Sequence, residues 1–433
     1  MLIQRAVLLD GSAVDIRVDE RIVDVGGLVP HRGEQVLDAA GATVIPGLHD
    51  HHVHLRSAAA ALTSARVGPV EVRGREDLAR ALADATVGSD GWIRAVGYHE
   101  AVAGPLDRDV LDEVSPPLPV RVQHRSGVLW TLNSVGLARV GLADHPDGRL
   151  RSADRGWSDT LQRNESDLAE VSRRLSEYGV TGVTDATPDF EVSDIVKLME
   201  AHRRGELRQR VRCLAPGKRI LHDGDLDLDE LTAWVAERHA ADAPVAVHCV
   251  TAAQLVVTLS ALREAGTHPQ DRIEHAAVVP DDSMADLTDL GVTVVTQPNF
   301  VTERGDQYLT DVPAAEHHEL WRVASLLRAG VKVALSTDMP FGGGDPWATM
   351  RAAVHRTTAG GIVLGPDECV SAREALTMFF GTSDQLTDPR AVQPSQPGDL
   401  CVLAAPPGEV LKQLDSQIVA ATVVAGEVVF ERG

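Results

Sequence analysis

Two histidines two positions apart, His52 and His54, point more directly to chemistry than any other feature of this chain. They belong to the segment VIPGLHDHHVHL, residues 44–55, whose apolar start is typical of a β-strand. Because side chains alternate along a strand, the two imidazoles project from the same face. Neutral imidazole nitrogen is a common zinc ligand, so the pair is a candidate site for one divalent cation.

Short apolar strands alternate with helical patterns through the middle of the chain, which is typical of a parallel sheet in an α/β protein. The sequence predicts eight inner strands: VIPGLHD (44–50), GVTGVTDAT (179–187), VRCL (211–214), GKRILHD (217–223), PVAVHC (244–249), DRIEHA (271–276), VTVVTQP (292–298) and VKVALSTD (331–338). Eight is the number that a closed (β/α)8 barrel of the TIM type needs.

More residues able to bind a metal ion fall at the ends of these strands. His248, His275 and Asp338 end the fifth, sixth and eighth strands, and Lys218 lies on the fourth. In a barrel the carboxyl ends of the strands converge on one opening, so these side chains are expected to meet. Four histidines with a carboxylate suit zinc or a neighbouring first-row ion better than calcium, which prefers oxygen ligands.

Both ends of the chain differ from the middle. Residues 1–43 and 398–433 are short alternating strands, which predicts one small β-sandwich module built from both termini around the barrel of residues 44–397. Residues 56–160 interrupt the alternating scheme and are interpreted as a cap inserted after the first barrel strand, facing the substrate. Two strands are predicted within this cap, WIRAVGYHE (92–100) and PVRVQHRSG (119–127).

Apolar periodicity predicts helices between the inner strands. Leucine, valine and tyrosine recur at helical spacing over residues 168–178, and leucines do so over residues 255–262. Ser371 and Glu374 have the spacing of a capping box, which predicts a helix starting there.

Composition restricts the partners. The 433 residues carry a formal net charge of −22, which would repel nucleic acid and anionic membrane surfaces. No apolar run approaches the length of a membrane span, and the amino terminus alternates like a strand instead of resembling a signal peptide. Four scattered cysteines fit a reducing cytoplasm. We therefore expect a cytoplasmic protein acting on a small molecule, with a homodimer left open.

The chain resembles the amidohydrolase superfamily, in particular the branch that contains N-substituted formamide deformylases. The resemblance covers nearly the whole chain and both end segments. It rests on motifs in the expected order: PGLHDHHVH, GVTGVTDA, VHC, RIEHA, QPNF and STDMP.

The resemblance implies a metal centre of one or two ions, zinc above all. His52 and His54 would bind the more buried ion and His248 and His275 a second one, with a carboxylated Lys218 bridging them. Carboxylation turns a cationic ammonium, which cannot bind a metal, into an anion with two oxygens. Only residues 215–217 separate the third strand from Lys218, which leaves no room for the usual helix; an unmodified lysine would mean a single ion.

The resemblance also implies hydrolysis of a C–N bond other than a peptide bond, in an amide, formamide or cyclic amide. A hydroxide generated by the metal ion would attack the carbonyl carbon. Asp338 would accept the proton of the water, bind the first ion and deliver the proton to the leaving nitrogen. Three alternatives stay open: deamination of a heterocycle, which the absence of a carboxylate in the CVTAAQ segment after His248 disfavours; ester or lactone hydrolysis; and a non-catalytic scaffold.

Substrate selection is assigned to the cap and to the loops after strands seven and eight. Positions similar to His99 and His124 face the substrate in the family. The remaining candidates lie in or after the loops and could shape a pocket: Gln297, Phe300, Tyr308 and Trp347. Strand alternation turns His49 and His51 away from the ligand pair, so they are expected either to support the ligands or to be structural. The substrate itself cannot be identified from these residues.

Overall fold

Strands and helices alternate along most of the chain. The computed structural model describes residues 1–151, 155–158, 161, 167–188 and 190–432. The strands are β1 (Leu2–Val7), β2 (Ala13–Val18), β3 (Ile22–Gly26), β4 (Val36–Asp38), β5 (Thr43–Pro46), β6 (Leu48–Val53), β7 (Ala65–Arg66), β8 (Ile93–Tyr98), β9 (Val120–His124), β10 (Leu129–Leu132), β11 (Arg149–Arg151), β12 (Val180–Asp185), β13 (Arg210–Cys213), β14 (Lys218–Ile220), β15 (Ala246–Cys249), β16 (Arg272–His275), β17 (Thr293–Thr296), β18 (Lys332–Leu335), β19 (Leu400–Leu403), β20 (Val419–Val424) and β21 (Glu427–Glu431).

The α-helices are α1 (Leu55–Leu62), α2 (Arg75–Ala83), α3 (Glu100–Ala103), α4 (Arg108–Val114), α5 (Ser134–Arg139), α6 (Arg155–Ser158), α7 (Leu168–Glu177), α8 (Val192–Arg203), α9 (Leu228–Ala240), α10 (Ala252–Ala265), α11 (Ser283–Leu290), α12 (Asn299–Asp311), α13 (Val323–Arg328), α14 (Pro346–His355), α15 (Ala372–Thr377) and α16 (Pro407–Gln413). Short 3-10 helices span Asp223–Asp225, Ala314–Glu319, Pro366–Glu368 and Ser416–Ile418. None of the helices in the described part of the chain combines the length and apolar character that crossing a bilayer requires.

The chain divides into two compact units, one formed by Met1–His54 with Leu168–Gly433 and the other by Leu55–Asp167. In the first unit, strands from both termini share one eight-stranded sheet, in the order β21-β20-β19-β5-β1-β2-β3 with β4 also paired to β1. The predicted joining of the two ends is thereby confirmed. Residues 43–46, at the start of the predicted first inner strand, pair with β19 in this sheet.

Seven of the eight predicted inner strands contain most of an observed strand. The first, residues 44–50, spans part of β5 and only half of β6. β6, β12 and β13 form a parallel three-stranded sheet, and β14 to β18 form a parallel five-stranded sheet. At one junction between the sheets, Val53 pairs with Met339 in a parallel bridge. There the Asp338 amide donates to the His52 carbonyl at 3.0 Å. At the other junction, between β13 and β14, the described ladders contain no pairing, so the hydrogen bonds do not resolve a closed barrel.

A glycine lets the two strands nearest the first histidines pack closely. A Cβ on Gly182 of β12 would lie 2.4 Å from His49 Nδ1, closer than real Cβ contacts allow. The buried His49 instead bonds through Nε2 to Thr184 Oγ1 at 2.9 Å. The His49 ring therefore packs directly on β12, where only glycine fits at position 182.

The second unit, Leu55–Asp167, has its own sheet, in the order β11-β10-β9-β8-β7. Two apolar clusters stabilise it, one around Leu78, Ile93 and Leu111 and another around Trp92, Trp130 and Leu132. The strands predicted at 92–100 and 119–127 are observed as β8 and β9. Its role as a cap on the substrate side stays a prediction.

Candidate metal centre

His52, His54 and Asp338 meet at the ends of β6 and β18. One ligand atom from each lies within 4.8 Å of the others, the spacing that a shared metal ion requires. His52 Nε2 is 3.5 Å and His54 Nε2 3.4 Å from the same carboxylate oxygen, Asp338 Oδ1. All three residues are buried. The structure therefore brings together three of the six residues that the sequence predicted as metal ligands.

The buried Asp338 Oδ1 makes no hydrogen bond in the part of the chain that the structure describes. A buried carboxylate oxygen without a donor is unfavourable unless a cation or a water supplies the missing interaction. The backbone at Asp338 is also held at φ 56°, a left-handed conformation that is uncommon for residues other than glycine. An orphaned acceptor facing two imidazole nitrogens fits a divalent cation.

In His52 and His275 the ring nitrogen Nδ1 takes part in a hydrogen bond, which leaves Nε2 available to bind a metal ion. Glu274 accepts from His52 Nδ1 in a short contact, so the proton sits on Nδ1. His275 Nδ1 contacts Gln297 Oε1 at 2.7 Å, and the Gln297 amide nitrogen donates to Ser336 Oγ at 2.8 Å, which fixes the orientation of the amide. Such partners orient metal-binding histidines and set the tautomer.

Two further histidines adjoin the first pair. The ring centroids of His52 and His275 are 4.8 Å apart, and those of His275 and His248 are 4.4 Å apart. His275 has φ 72°, so the backbone leaves β16 in a conformation that few side chains adopt. All four predicted histidines thus lie in one continuous cluster.

Lys218, at the start of β14, is buried with its Nζ 3.0 Å from His52 Nε2. Burial lowers the pKa of the Lys218 ammonium to about 8, because an apolar environment disfavours the charged form. Burial also lowers the pKa of His52 well below its ordinary value, so the imidazole stays neutral and able to bind a metal. Lys218 thus adjoins the ligand cluster, where a bridging role was predicted.

Glu274 and Arg272 are parts of the site that the sequence reading missed. Arg272 donates to Glu274 through Nε at 2.5 Å and Nη2 at 3.0 Å, and its Nη2 also reaches the His51 carbonyl at 2.7 Å. Both side chains are buried. The available signal was the spacing in RIEHA, since two charged residues two apart on an otherwise apolar strand share a face and need a partner.

The residues predicted to contact substrate lie in different surroundings. Gln297 is fully buried and engaged with His275, and Trp347 is fully buried with its Nε1 donating to the Tyr178 carbonyl at 2.9 Å. Phe300 packs on Trp321 at 5.3 Å between ring centroids, and Tyr308 is half-buried nearby. The burial of Gln297 and Trp347 favours a role in positioning and packing over contact with substrate. Substrate contact stays a prediction for all four residues.

His99 and His124 belong to the second unit and share the carboxylate of Glu100. The Nε2 atoms lie 3.8 Å and 3.2 Å from Glu100 Oε2, a spacing that a metal ion could also occupy. Each Nδ1, however, accepts a backbone N–H, from Ala101 at 3.2 Å and from Ser126 at 3.1 Å. In a neutral ring the proton therefore sits on Nε2, and in His124 this nitrogen is within hydrogen-bond distance of the Glu100 carboxylate. This arrangement disfavours metal binding there.

Comparison with known proteins gives one consistent result. A model of the amidohydrolase family matches residues 35–430. The N-substituted formamide deformylase of Arthrobacter pascens is 26% identical over an alignment of 461 residues, covering 87% of this chain and 84% of that protein.

Solved structures agree on the fold. An uncharacterized metal-dependent hydrolase from Pyrococcus horikoshii OT3 matches with a TM-score of 0.75 at 19% identity, over 95% of this chain and 98% of that one. Its counterpart from Pyrococcus furiosus matches with a TM-score of 0.70 at 21% identity, over 94% and 99% of the two chains.

Proposed function

The chain belongs to the amidohydrolase family, and we propose that it cleaves a carbon–nitrogen bond in an amide, a formamide or a cyclic amide. The observation that carries the proposal is the convergence of His52, His54 and Asp338 within 4.8 Å. The formamide class is suggested by the name of the Arthrobacter pascens relative, which is 26% identical.

We assign His52, His54 and Asp338 as ligands of one divalent ion, with zinc the best match to two imidazoles and a carboxylate. His248 and His275 are the proposed ligands of a second ion. Once carboxylated, Lys218 would bridge the two ions, because its Nζ lies 3.0 Å from His52 Nε2, a ligand of the first ion in this proposal. The bound metal supplies Lewis acidity and lowers the pKa of water toward neutrality.

Asp338 is the residue that we assign to proton transfer. Its Oδ1 faces the His52 and His54 nitrogens without a hydrogen bond from the described residues and is the proposed metal-binding atom. The other carboxylate oxygen would accept a proton from the attacking water and then protonate the departing nitrogen. Amide cleavage needs this second step, because an unprotonated amine anion is a very poor leaving group.

Substitution of Asp338 tests this assignment. Asp338→Asn keeps the shape of the side chain and an oxygen able to bind the metal, but it removes the base. General acid–base groups contribute about 10²–10⁴-fold, so kcat should fall by at least about 10²-fold while the metal content stays at the wild-type level. Metal content is read by inductively coupled plasma analysis and kcat on a panel of N-substituted formamides, N-acyl amines and cyclic imides.

Asp286→Asn is the matched control, because Asp286 lies outside the site on α11 and pairs with Arg263. This variant should retain wild-type kcat. Near-normal turnover in Asp338→Asn would remove Asp338 from the reaction. Wild-type protein that hydrolyses no member of the panel, even when loaded with zinc, would contradict the proposed activity.

A further inference from the structure

A cavity of about 180 Å³ lies at the junction where β13 and β14 are not paired. Its wall includes residues 212–217, which form the end of β13 and the turn into β14, together with residues 244–246 at the start of β15. Gln270, Ser383 and Leu386 line it as well. All of these residues belong to one compact unit.

Three of the residues that line the cavity are arginines. Arg212, Arg238 and Arg272 line it, and no aspartate or glutamate is among its fourteen lining residues. This is unusual in a chain with a formal net charge of −22. The charges of Arg212 and Arg272 are already balanced, by Asp384 at 2.5 Å and by Glu274 at 2.5 Å.

Arg238, on α9, is the guanidinium without a counter-charge. The described residues provide it with no ion pair, and its Nε is buried and has no hydrogen-bond partner among them. A buried guanidinium donor that lacks an acceptor is unfavourable by an amount comparable to a lost charged hydrogen bond. An acceptor bound in the cavity would satisfy it.

Arg238 stands against the turn that leads into β14. A Cβ built on Gly217 would lie 3.6 Å from Arg238 Nη2, 2.8 Å from the Pro244 carbonyl and 3.1 Å from the Leu214 carbonyl. The Pro244 carbonyl therefore leaves room only for glycine at this point, and the guanidinium lies in ordinary contact beside it. The next residue is Lys218, so an occupant of the cavity would adjoin the turn that positions this lysine.

We propose that the cavity binds a small oxyanion, a carboxylate or inorganic phosphate, with Arg238 as the principal contact. The guanidinium presents several N–H donors in a planar fork that matches two oxygens of such an anion. A volume of about 180 Å³ leaves room for a hydrated anion. The cavity shares Arg272 with the surroundings of the metal centre. The principal contact, Arg238, lies outside that centre, and anion binding does not depend on the reaction proposed above.

Titration of the full-length wild-type protein tests the proposal directly. Sodium phosphate and sodium acetate are added separately, with sodium chloride at matched ionic strength to correct for screening. Binding is followed by isothermal titration calorimetry and by the thermal midpoint, which rises with concentration when a ligand prefers the folded state. We expect saturable binding of at least one anion; stronger binding of phosphate or of acetate identifies the source.

Variants at Arg238 locate the site. Arg238→Gln should weaken binding of the preferred anion at least tenfold, and Arg238→Lys should weaken it less, because the charge remains but the fork is lost. Arg203→Gln is the matched control, since Arg203 is largely exposed on α8 and pairs only loosely with Glu200, at 3.9 Å. Wild-type protein that binds neither anion beyond the chloride control would overturn the proposal, as would an Arg238→Gln variant with wild-type affinity.

Discussion

Both ring nitrogens of His52 contact groups that determine its protonation and orientation. On one side Glu274 accepts the Nδ1 proton and is itself held by Arg272. On the other, Nε2 faces Asp338 and the Lys218 ammonium. Because the ring is buried and oriented by a carboxylate, Nε2 keeps its lone pair toward the proposed ion.

Glu274→Gln should therefore weaken the metal centre without removing a ligand. Partners of this kind typically change metal affinity by about 10–100-fold, so the Kd for zinc should rise by that factor. Competition with a chromophoric chelator measures it. Glu230→Gln, at an exposed residue paired with Arg219, is the control. Unchanged zinc affinity in Glu274→Gln would show that Glu274 does not orient His52.

Single residues could be predicted from the sequence where they stand at the end of a predicted strand. His52, His54 and Asp338 stand at strand ends in recognisable motifs, and the structure brings them together. Glu274 and Arg272 were not predicted, because their role depends on the contact of Glu274 with His52, which lies 222 positions away in the sequence. Sequence spacing carries no direct information about such a pairing.

At the scale of elements, the close approach of β12 to β6 keeps the first ligands in place. Gly182 makes this approach feasible, because a Cβ there would lie 2.4 Å from His49 Nδ1. The strands themselves were predictable, since apolar runs bounded by turn residues set their existence. The described ladders contain no pairing between β13 and β14, and the only indication of this in the sequence is the short connection of residues 214–217.

Gly182→Ala should displace His49 and with it β6. Overpacking of a buried contact generally destabilises by about 1–3 kcal/mol, so the free energy of unfolding should fall by that amount in urea denaturation. Gly224→Ala is the matched control, because nothing lies within 4 Å of a Cβ at Gly224. If the two variants were equally stable, close packing of β12 on β6 would not be what holds the strand.

At the scale of the whole molecule, a buried neutral histidine makes the folding stability depend on pH. Burial, assisted by Arg390 and Arg272, lowers the pKa of His49 from 6.5 to about 3. As the pH falls, this imidazole binds a proton near pH 6.5 in the unfolded chain but only near pH 3 in the folded chain. Folding stability contributed by the neutral ring is complete above this window and is lost as the pH falls through it.

His49→Gln should flatten the acid limb of the stability curve. One proton bound only by the unfolded state gives a slope of about 1.4 kcal/mol per pH unit, which the variant should lose between pH 6.5 and 3. Urea unfolding at a series of pH values measures the slope. His31→Gln, at an exposed histidine, is the control for loss of an imidazole. An identical slope in wild type and His49→Gln would contradict this account.

The organisation of the whole chain was predictable in part. Pairing of the two termini followed from their shared strand pattern, and a separate unit at Leu55–Asp167 corresponds to the interruption seen at 56–160. Substrate residues were the least accessible from sequence. Trp347 illustrates the reason: a large aromatic residue after a glycine-rich loop suits a pocket wall and a core equally well, and the structure buries it completely.

The central claim is that His52, His54 and Asp338 hold a divalent ion, and anomalous diffraction at the zinc edge from crystals grown with zinc tests it most directly. We expect the strongest peak between these three residues, at about 2.0–2.2 Å from the two Nε2 atoms and a carboxylate oxygen. An empty map at this position, or a dominant peak at the His99, Glu100 and His124 group instead, would contradict it.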